Sequence, residues 1–168
     1  EHARLMFDLQ LLALQGDVCA VGAWGVNGTG GTNSGAVYRY VYDGTQWGGE
    51  TRLEAQDSGD RDLLGSAVAL DEAGILAGAW SSDRARTDAG AAYIFRSDES
   101  VERKIAPNDG ISFDLFGFAA DADGDRVIVG APGDDLAART DPGSAYVYRF
   151  SAGRWDREQK LRMSDRED

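Results

Sequence analysis

Cysteine is all but missing from this chain. Cys19 is the only one, so no internal disulfide can form. Histidine is equally scarce. His2, the single copy, stands near the chain end, which removes the commonest general base from any catalytic scheme. There are only 3 prolines. No run approaches the ~20 apolar residues that a membrane-spanning helix requires, and Glu1 to Leu14 does not read as a secretory leader, having two acids and no small-residue cleavage site. No window shows helical periodicity. Positive charge is in deficit: 17 Lys and Arg face 29 Asp and Glu, for a formal charge of −12. So acidic a surface repels nucleic acid and anionic membranes, and neither is expected as a partner. It suits divalent cations, basic partners or plain solubility.

What is present is glycine, 22 residues of it, together with short runs of small, branched and aromatic residues. With 42% hydrophobic residues the chain can build a core, and this mixture favours many short strands joined by tight turns. The runs repeat. Val21-Gly22-Ala23-Trp24, Ala77-Gly78-Ala79-Trp80 and Val129-Gly130-Ala131-Pro132 recur roughly fifty residues apart, the period range of solenoids and propellers. A second set follows each at near-constant spacing: Gly35-Ala36-Val37-Tyr38, Gly90-Ala91-Ala92-Tyr93 and Gly143-Ser144-Ala145-Tyr146. A third places an apolar residue four before an Asp, at Leu53 to Asp57, Ile105 to Asp109 and Leu161 to Asp165. Beyond that Asp come Leu64-Gly65 and Phe116-Gly117. The repeats run over about 5–62, 63–114 and 115–168.

Each repeat divides into four strand-like runs. The first is Ser66 to Leu70 or Phe118 to Ala122, small and apolar. A turn of Gly and acids follows, as at Asp123-Gly124-Asp125. The second run is Val18 to Ala23, Ile75 to Ala79 and Val127 to Ala131, apolar nearly throughout, as for a strand buried on both faces. The third is Ala36 to Tyr40, Ala91 to Phe95 and Ala145 to Phe150. The fourth is Trp47 to Leu53, Val101 to Ile105 and Trp155 to Leu161, charged as an outer edge strand should be. Four antiparallel strands per repeat, graded from small and apolar to charged, predict an all-β chain of three β-propeller blades, with the small first run nearest the axis.

Phe116-Gly117, Asp123-Gly124-Asp125, Val129-Gly130-Ala131-Pro132, Gly143 to Tyr148, Trp155 and Lys160-Leu161 together resemble an FG-GAP repeat, the repeat of integrin α-subunit propellers. The second copy has Leu64-Gly65 in place of Phe-Gly, and the first has Asp8-Leu9. The resemblance implies an extracellular or cell-surface module that recognises protein or glycan through its loops, with a role in adhesion and with calcium as its ion. Propellers of that kind usually carry seven blades. Three suggest either part of a larger ring or one half of a six-bladed homodimer.

The candidate site residues have bland alternatives. Asp121, Asp123 and Asp125 alternate in the third copy and suit an oxygen-seeking cation. The resemblance implies a calcium loop there, but the family's loop is longer, and the residues favour a solvated hairpin turn. A second acidic set, Asp57, Asp60 and Asp62, then Asp109 and Asp114, then Asp165 and Asp168, recurs between repeats and reads as scaffold that holds each crossover by accepting backbone N–H bonds. Trp24 and Trp80 sit where the third copy has Pro132. They are placed to stack on a sugar or anchor a partner, against the plainer reading of packing between blades. Trp47 and Trp155 read as packing residues, and Cys19, aligned with Ile75 and Val127, as a buried hydrophobe. Asn27-Gly28-Thr29 matches a glycosylation acceptor. No catalytic set emerges, since the acids recur with the repeat. A lectin, or the scaffold blades of a larger secreted enzyme, are the alternatives to an adhesion module.

Overall fold

The computed structural model describes residues 11–72, 74–83, 87–96, 102–134 and 143–162. Asp8-Leu9, His2, Asp165 and Asp168 lie outside them. Among the described residues there are twelve strands and no helix. The first sheet comprises β1 (Leu11–Gln15), β2 (Val18–Ala23), β3 (Ala36–Tyr42) and β4 (Trp47–Leu53). The second comprises β5 (Ala67–Asp71), β6 (Gly74–Ala79), β7 (Ala91–Arg96) and β8 (Glu102–Ile105). The third comprises β9 (Ala119–Asp123), β10 (Arg126–Ala131), β11 (Ser144–Ser151) and β12 (Arg154–Arg162). Each is an antiparallel meander whose spatial order follows the chain. The register repeats too: Gly22 pairs with Val37, Gly78 with Ala92 and Gly130 with Ala145, and these partners pair in turn with Leu53, Ile105 and Leu161.

β1 contacts β5, and β5 contacts β9. The first strands are therefore the ones that meet, and the blades fan outward from them. This explains the small residues expected there: Ala67 and Ala69 of β5 are buried where neighbouring strands crowd together. Two cores fill the seams. Between blades 1 and 2 lie Ala20, Val37, Leu64, Val68, Ile75, Tyr93 and Phe95. Between blades 2 and 3 lie Leu76, Ile94, Ile105, Phe116, Val127, Tyr146 and Tyr148. Phe116, fully buried, meets Tyr146 and Tyr148 edge-on with ring centroids 5.4 and 6.1 Å apart, a favoured aromatic geometry.

Burial on both faces holds only for the middle blade. Every residue of β6 is buried, whereas β10 alternates exposed and buried because one of its faces has no sheet against it. The same asymmetry corrects two expectations. Cys19 is half-buried rather than buried, since it points to the outward face of blade 1 with Leu12, Leu14, Tyr40 and Trp47. Trp47 is 47% exposed, with its ring centroid 5.4 Å from that of Tyr42. Trp155 packs as expected, against the second core and Phe150.

The dipeptides Leu64-Gly65 and Phe116-Gly117 are the joints between blades. Leu64 donates its N–H to the Ser34 carbonyl at 3.0 Å, and Phe116 to that of Ala89 at 3.0 Å. One-residue parallel bridges, Gly35 to Leu64 and Gly90 to Phe116, mark both places. The glycine is required twice over. Gly65 and Gly117 have φ of +89° and +97°, and a methyl on either would run into the carbonyl of Ala36 or Ala91 in the preceding blade. The facing glycines are equally constrained, because a methyl on Gly22 or Gly78 would overlap the carbonyl oxygen of Gly65 or Gly117.

The crossover before each joint is bent through unusual backbone. Arg61 and Leu63, then Phe113 and Leu115, all have positive φ despite their side chains, a conformation that persists only where the surroundings over-determine it. A buried carboxylate sits inside each bend. Asp62 accepts the Gly59 N–H and Asp114 the Ile111 N–H, both at 2.7 Å.

Candidate functional site

Trp24 directly follows β2 and Trp80 directly follows β6, so both emerge at the end of a second strand. The joint brings the next blade's first strand to the same place. As a result Trp24 and Trp80, one repeat apart in sequence, line a single cleft of about 390 Å³ with Leu11, Leu63, Ser66 and Phe118. Both tryptophans are half-buried. Phe118 is 53% exposed, and its ring lies 6.2 Å from that of Trp80, tilted by 54°. Part of each indole is thus held by packing while part stays open to solvent, which suits an aromatic platform. The sequence pattern puts Phe118 at the head of the first strand, whereas β9 begins at Ala119. Its alignment with Ser66, a small polar residue, was the available signal that it stands apart from the packed positions.

Asp121, Asp123 and Asp125 do not converge. Asp121 and Asp123 lie on the exposed side of β9, where the Asp121 carboxylate accepts the Ala122 N–H at 2.9 Å. Asp125 lies in the hairpin turn. One of its oxygens pairs with Arg126 at 2.9 Å and the other with the Arg149 Nε at 2.8 Å. The Arg149 hydrogen bond above all holds this carboxyl below its usual range. Arg126 is bidentate to Glu158, at 2.8 and 3.1 Å. Among the described residues no three acidic, His or Cys side chains gather as a cation would need.

The recurring acidic set between repeats is scaffold, and it works across blades. Asp57 of the first repeat accepts the Tyr93 hydroxyl at 2.8 Å and pairs with Lys104 at 2.7 Å, both in blade 2. Asp109 of the second pairs with Arg157 and, at 3.3 Å, with Lys160, both in blade 3. Each lysine also lies over its blade's tyrosine ring, at 5.2 Å for Lys104 on Tyr93 and 4.8 Å for Lys160 on Tyr146. Blade 3 adds Asp134, which takes the Tyr146 hydroxyl at 2.7 Å and Lys160 at 2.5 Å. Burial pushes Asp109 and Asp134 upward, but the cations and hydrogen bonds outweigh it and hold both below the usual carboxylate range. Burial first, and then the carboxylate partner, pushes the Tyr93 and Tyr146 hydroxyls above theirs. Asp60 accepts the Thr32 N–H at 2.8 Å. In the glycosylation triplet, the Asn27 side chain accepts the Asn33 N–H at 3.0 Å and the Thr29 hydroxyl donates to Glu54 at 2.7 Å.

The chain was compared with known proteins. No curated protein matches it. A family model described as the FG-GAP repeat matches residues 47–95 and 100–148. Each match opens at the fourth strand of one blade and ends in the third strand of the next, so the unit that the model describes spans a joint. Both matches contain the features that build the seams: the apolar–glycine dipeptide, the buried crossover aspartate and the bridging aspartate. By these matches over more than half its length, the chain belongs to the FG-GAP repeat family of propeller-type binding and scaffold modules.

Proposed function

We propose that the chain is a non-catalytic recognition module, acting outside the cell or at its surface, whose ligand is a protein held at the Trp24–Trp80–Phe118 cleft. The observation that carries this reading is the convergence of two tryptophans a full repeat apart, with an exposed phenylalanine, at one cleft. Half-open aromatics ringed by packed residues are the usual anchors of a protein interface. The charge of −12 favours a basic partner, whose encounter it would steer.

The test is binding of the intact chain to arrays of basic and acidic peptides and of glycans, with Trp24→Ala and Trp80→Ala beside the parent. Thermal melting checks that each variant is folded. Basic peptides with an apolar anchor should bind, more weakly at high salt, and each substitution should weaken them about tenfold or more. Peptide binding unchanged in both variants refutes the cleft as the site. Glycan binding lost with the tryptophans, and no peptide binding, replaces this reading by a lectin.

A further inference from the structure

The seam between blades 1 and 2 has two ends. One lies where β2 and β6 finish, beside the tryptophans. At the other, where β2 and β6 begin, is a separate cavity of about 310 Å³, at the lower end of the size range of small-molecule sites. Val18, Leu53, Leu70, Ile75 and Phe95 form its apolar walls, and Arg39 of β3 lines it with them.

The second seam shows what fills this place elsewhere in the chain. Ala20 pairs with Arg39 across β2 and β3, and the pair at the same register in blade 2 is Leu76 with Ile94. Leu76 and Ile94 are both buried in the second core. Blade 1 thus offers its seam a methyl and a guanidinium where blade 2 offers two large aliphatic side chains. From the opposite wall, Leu70 and Ile75 stand where blade 3 has Ala122 and Val127, and they restore part of the volume. What stays open lies beside Arg39.

Two arginines and two acids line the cavity, so its wall carries no net charge although the chain carries −12. Asp71 caps its own hairpin, accepting the Gly74 N–H at 3.1 Å, and Glu72 is exposed. The Arg96 guanidinium lies over the Phe150 ring of blade 3, 5.4 Å from its centroid. Arg39 is half-buried. Its guanidinium has five N–H donors in a planar fork, so a partner already made does not exhaust it. An apolar cavity with one such fork in its wall selects a flat anion on an apolar body.

We propose that this cavity binds a small carboxylic acid with an apolar body. The carboxylate pairs with Arg39, and the body lies against Leu53, Leu70, Ile75 and Phe95. The site is distinct from the Trp24–Trp80–Phe118 cleft, and an occupant there touches both blades of the seam.

The probe is hexanoate, with butanoate, hexanamide and hexylamine beside it. Each is titrated into the isotopically labelled intact chain and followed by amide shifts. Saturable shifts at Val18, Arg39, Leu53 and Ile75 are expected with hexanoate. It should bind about fifteenfold more tightly than butanoate, at about fourfold for each buried methylene. The neutral amide should bind about tenfold more weakly than the acid, or worse. Arg39→Ile gives blade 1 the residue that blade 2 has, and that chain should remain folded by thermal melting and lose the response. Val18→Phe fills the cavity and keeps Arg39, and it should lose the response as well. The proposal is overturned by the absence of shifts at these amides, or by shifts at Trp24 and Trp80 in their place. It is equally overturned by an amide or amine that binds as well as hexanoate, or by unaltered binding in either variant that folds.

Discussion

Gly78→Ala and Gly130→Ala make the same chemical change at the same register position, and the structure requires opposite outcomes. A methyl on Gly78 overlaps the carbonyl oxygen of Gly117. Both groups belong to backbone, so no rotamer relieves the clash and blade 3 must move away from blade 2. Overpacking of this kind costs about 1–3 kcal/mol. Replacing mid-strand glycine by alanine returns about 0.5–1 kcal/mol in either variant through lower unfolded-state entropy. That contribution cancels in the comparison, so the difference between the two variants isolates the joint and should be about 1–3 kcal/mol, with Gly130→Ala no less stable than the parent. Urea unfolding followed by tryptophan fluorescence reads it directly. With a slope of about 1–3 kcal/mol per molar, the midpoints should separate by about 1 M. Trp80 stands two residues from Gly78 and stacks near Phe118 across the joint, so its emission should also shift in the native baseline of Gly78→Ala alone. Midpoints that agree within about 0.5 kcal/mol, the ordinary scatter of innocuous substitutions, would refute the claim that the facing glycine is what lets the blades meet.

Two further outcomes follow from the seam between blades 2 and 3. Phe116→Ala removes a fully buried ring that contacts two tyrosines, and should cost about 3–5 kcal/mol. A loss of near-ultraviolet dichroism from Tyr146 and Tyr148 should accompany it, and a cost under about 1 kcal/mol contradicts the packing described. The seam should also be sensitive to acid and to base. Asp109 and Asp134 are depressed in the fold, so their contribution is present above the ordinary carboxylate pKa and disappears as pH falls through their folded values. Tyr93 and Tyr146 are raised, so theirs is present below about pH 10 and disappears as pH rises beyond it. Stability measured against pH should be flat between these limits, and Asp109→Asn should flatten the acid limb. An unchanged acid limb in that variant assigns the loss to other carboxylates.

The sequence made the strands legible because their landmarks are structural necessities. Val18–Ala23 and Trp47–Leu53 have the limits expected of them, since Gly22 must face the joint and Leu53 must pair with Val37. The first strands begin one residue later than expected, at Ala67 and Ala119. The reason is local. The Ser66 N–H is shared between the Leu63 and Gly78 carbonyls, and the Phe118 N–H goes to Leu115, so both residues finish a turn rather than start a ladder. The third strand of blade 1 runs on to Tyr42, whose ring holds Trp47. Partners across blades were not legible. Nothing in the sequence near Asp57 points to Lys104, and a periodicity argument cannot tell a tryptophan buried in a seam from one facing a cleft. Those outcomes depend on how two repeats dock. The joint glycines fix that docking, and their role becomes visible only once the carbonyl opposite each of them is located.

Each seam changes character from axis to rim. Near the axis it is apolar, built of alanine, glycine and one large apolar residue per joint, with backbone against backbone at the facing glycines. Toward the rim it becomes ionic, with Asp57–Lys104 in one seam and Asp109 with Arg157 and Lys160 in the other, where the side chains retain partial exposure. Partly solvated pairs add little to stability, but like charges opposed at the same place are costly, so they discriminate between partners. The outward face of blade 3 shows the same gradient: Ala145, Ile128 and Leu161 inside, and the Arg126–Glu158 and Asp125–Arg149 pairs outside. The inner zone is generic, since any apolar–glycine joint fits it. The outer zone repeats one Asp–Lys–Tyr arrangement, with Arg157 and Asp134 added in the second seam. How strongly two blades adhere is therefore set mainly by the joint. A rim substitution such as Glu158→Lys, at an exposed pair with Arg126, should therefore leave the melting of this chain nearly unchanged, and a fall of several degrees would show that the rim carries more of the stability than the joint.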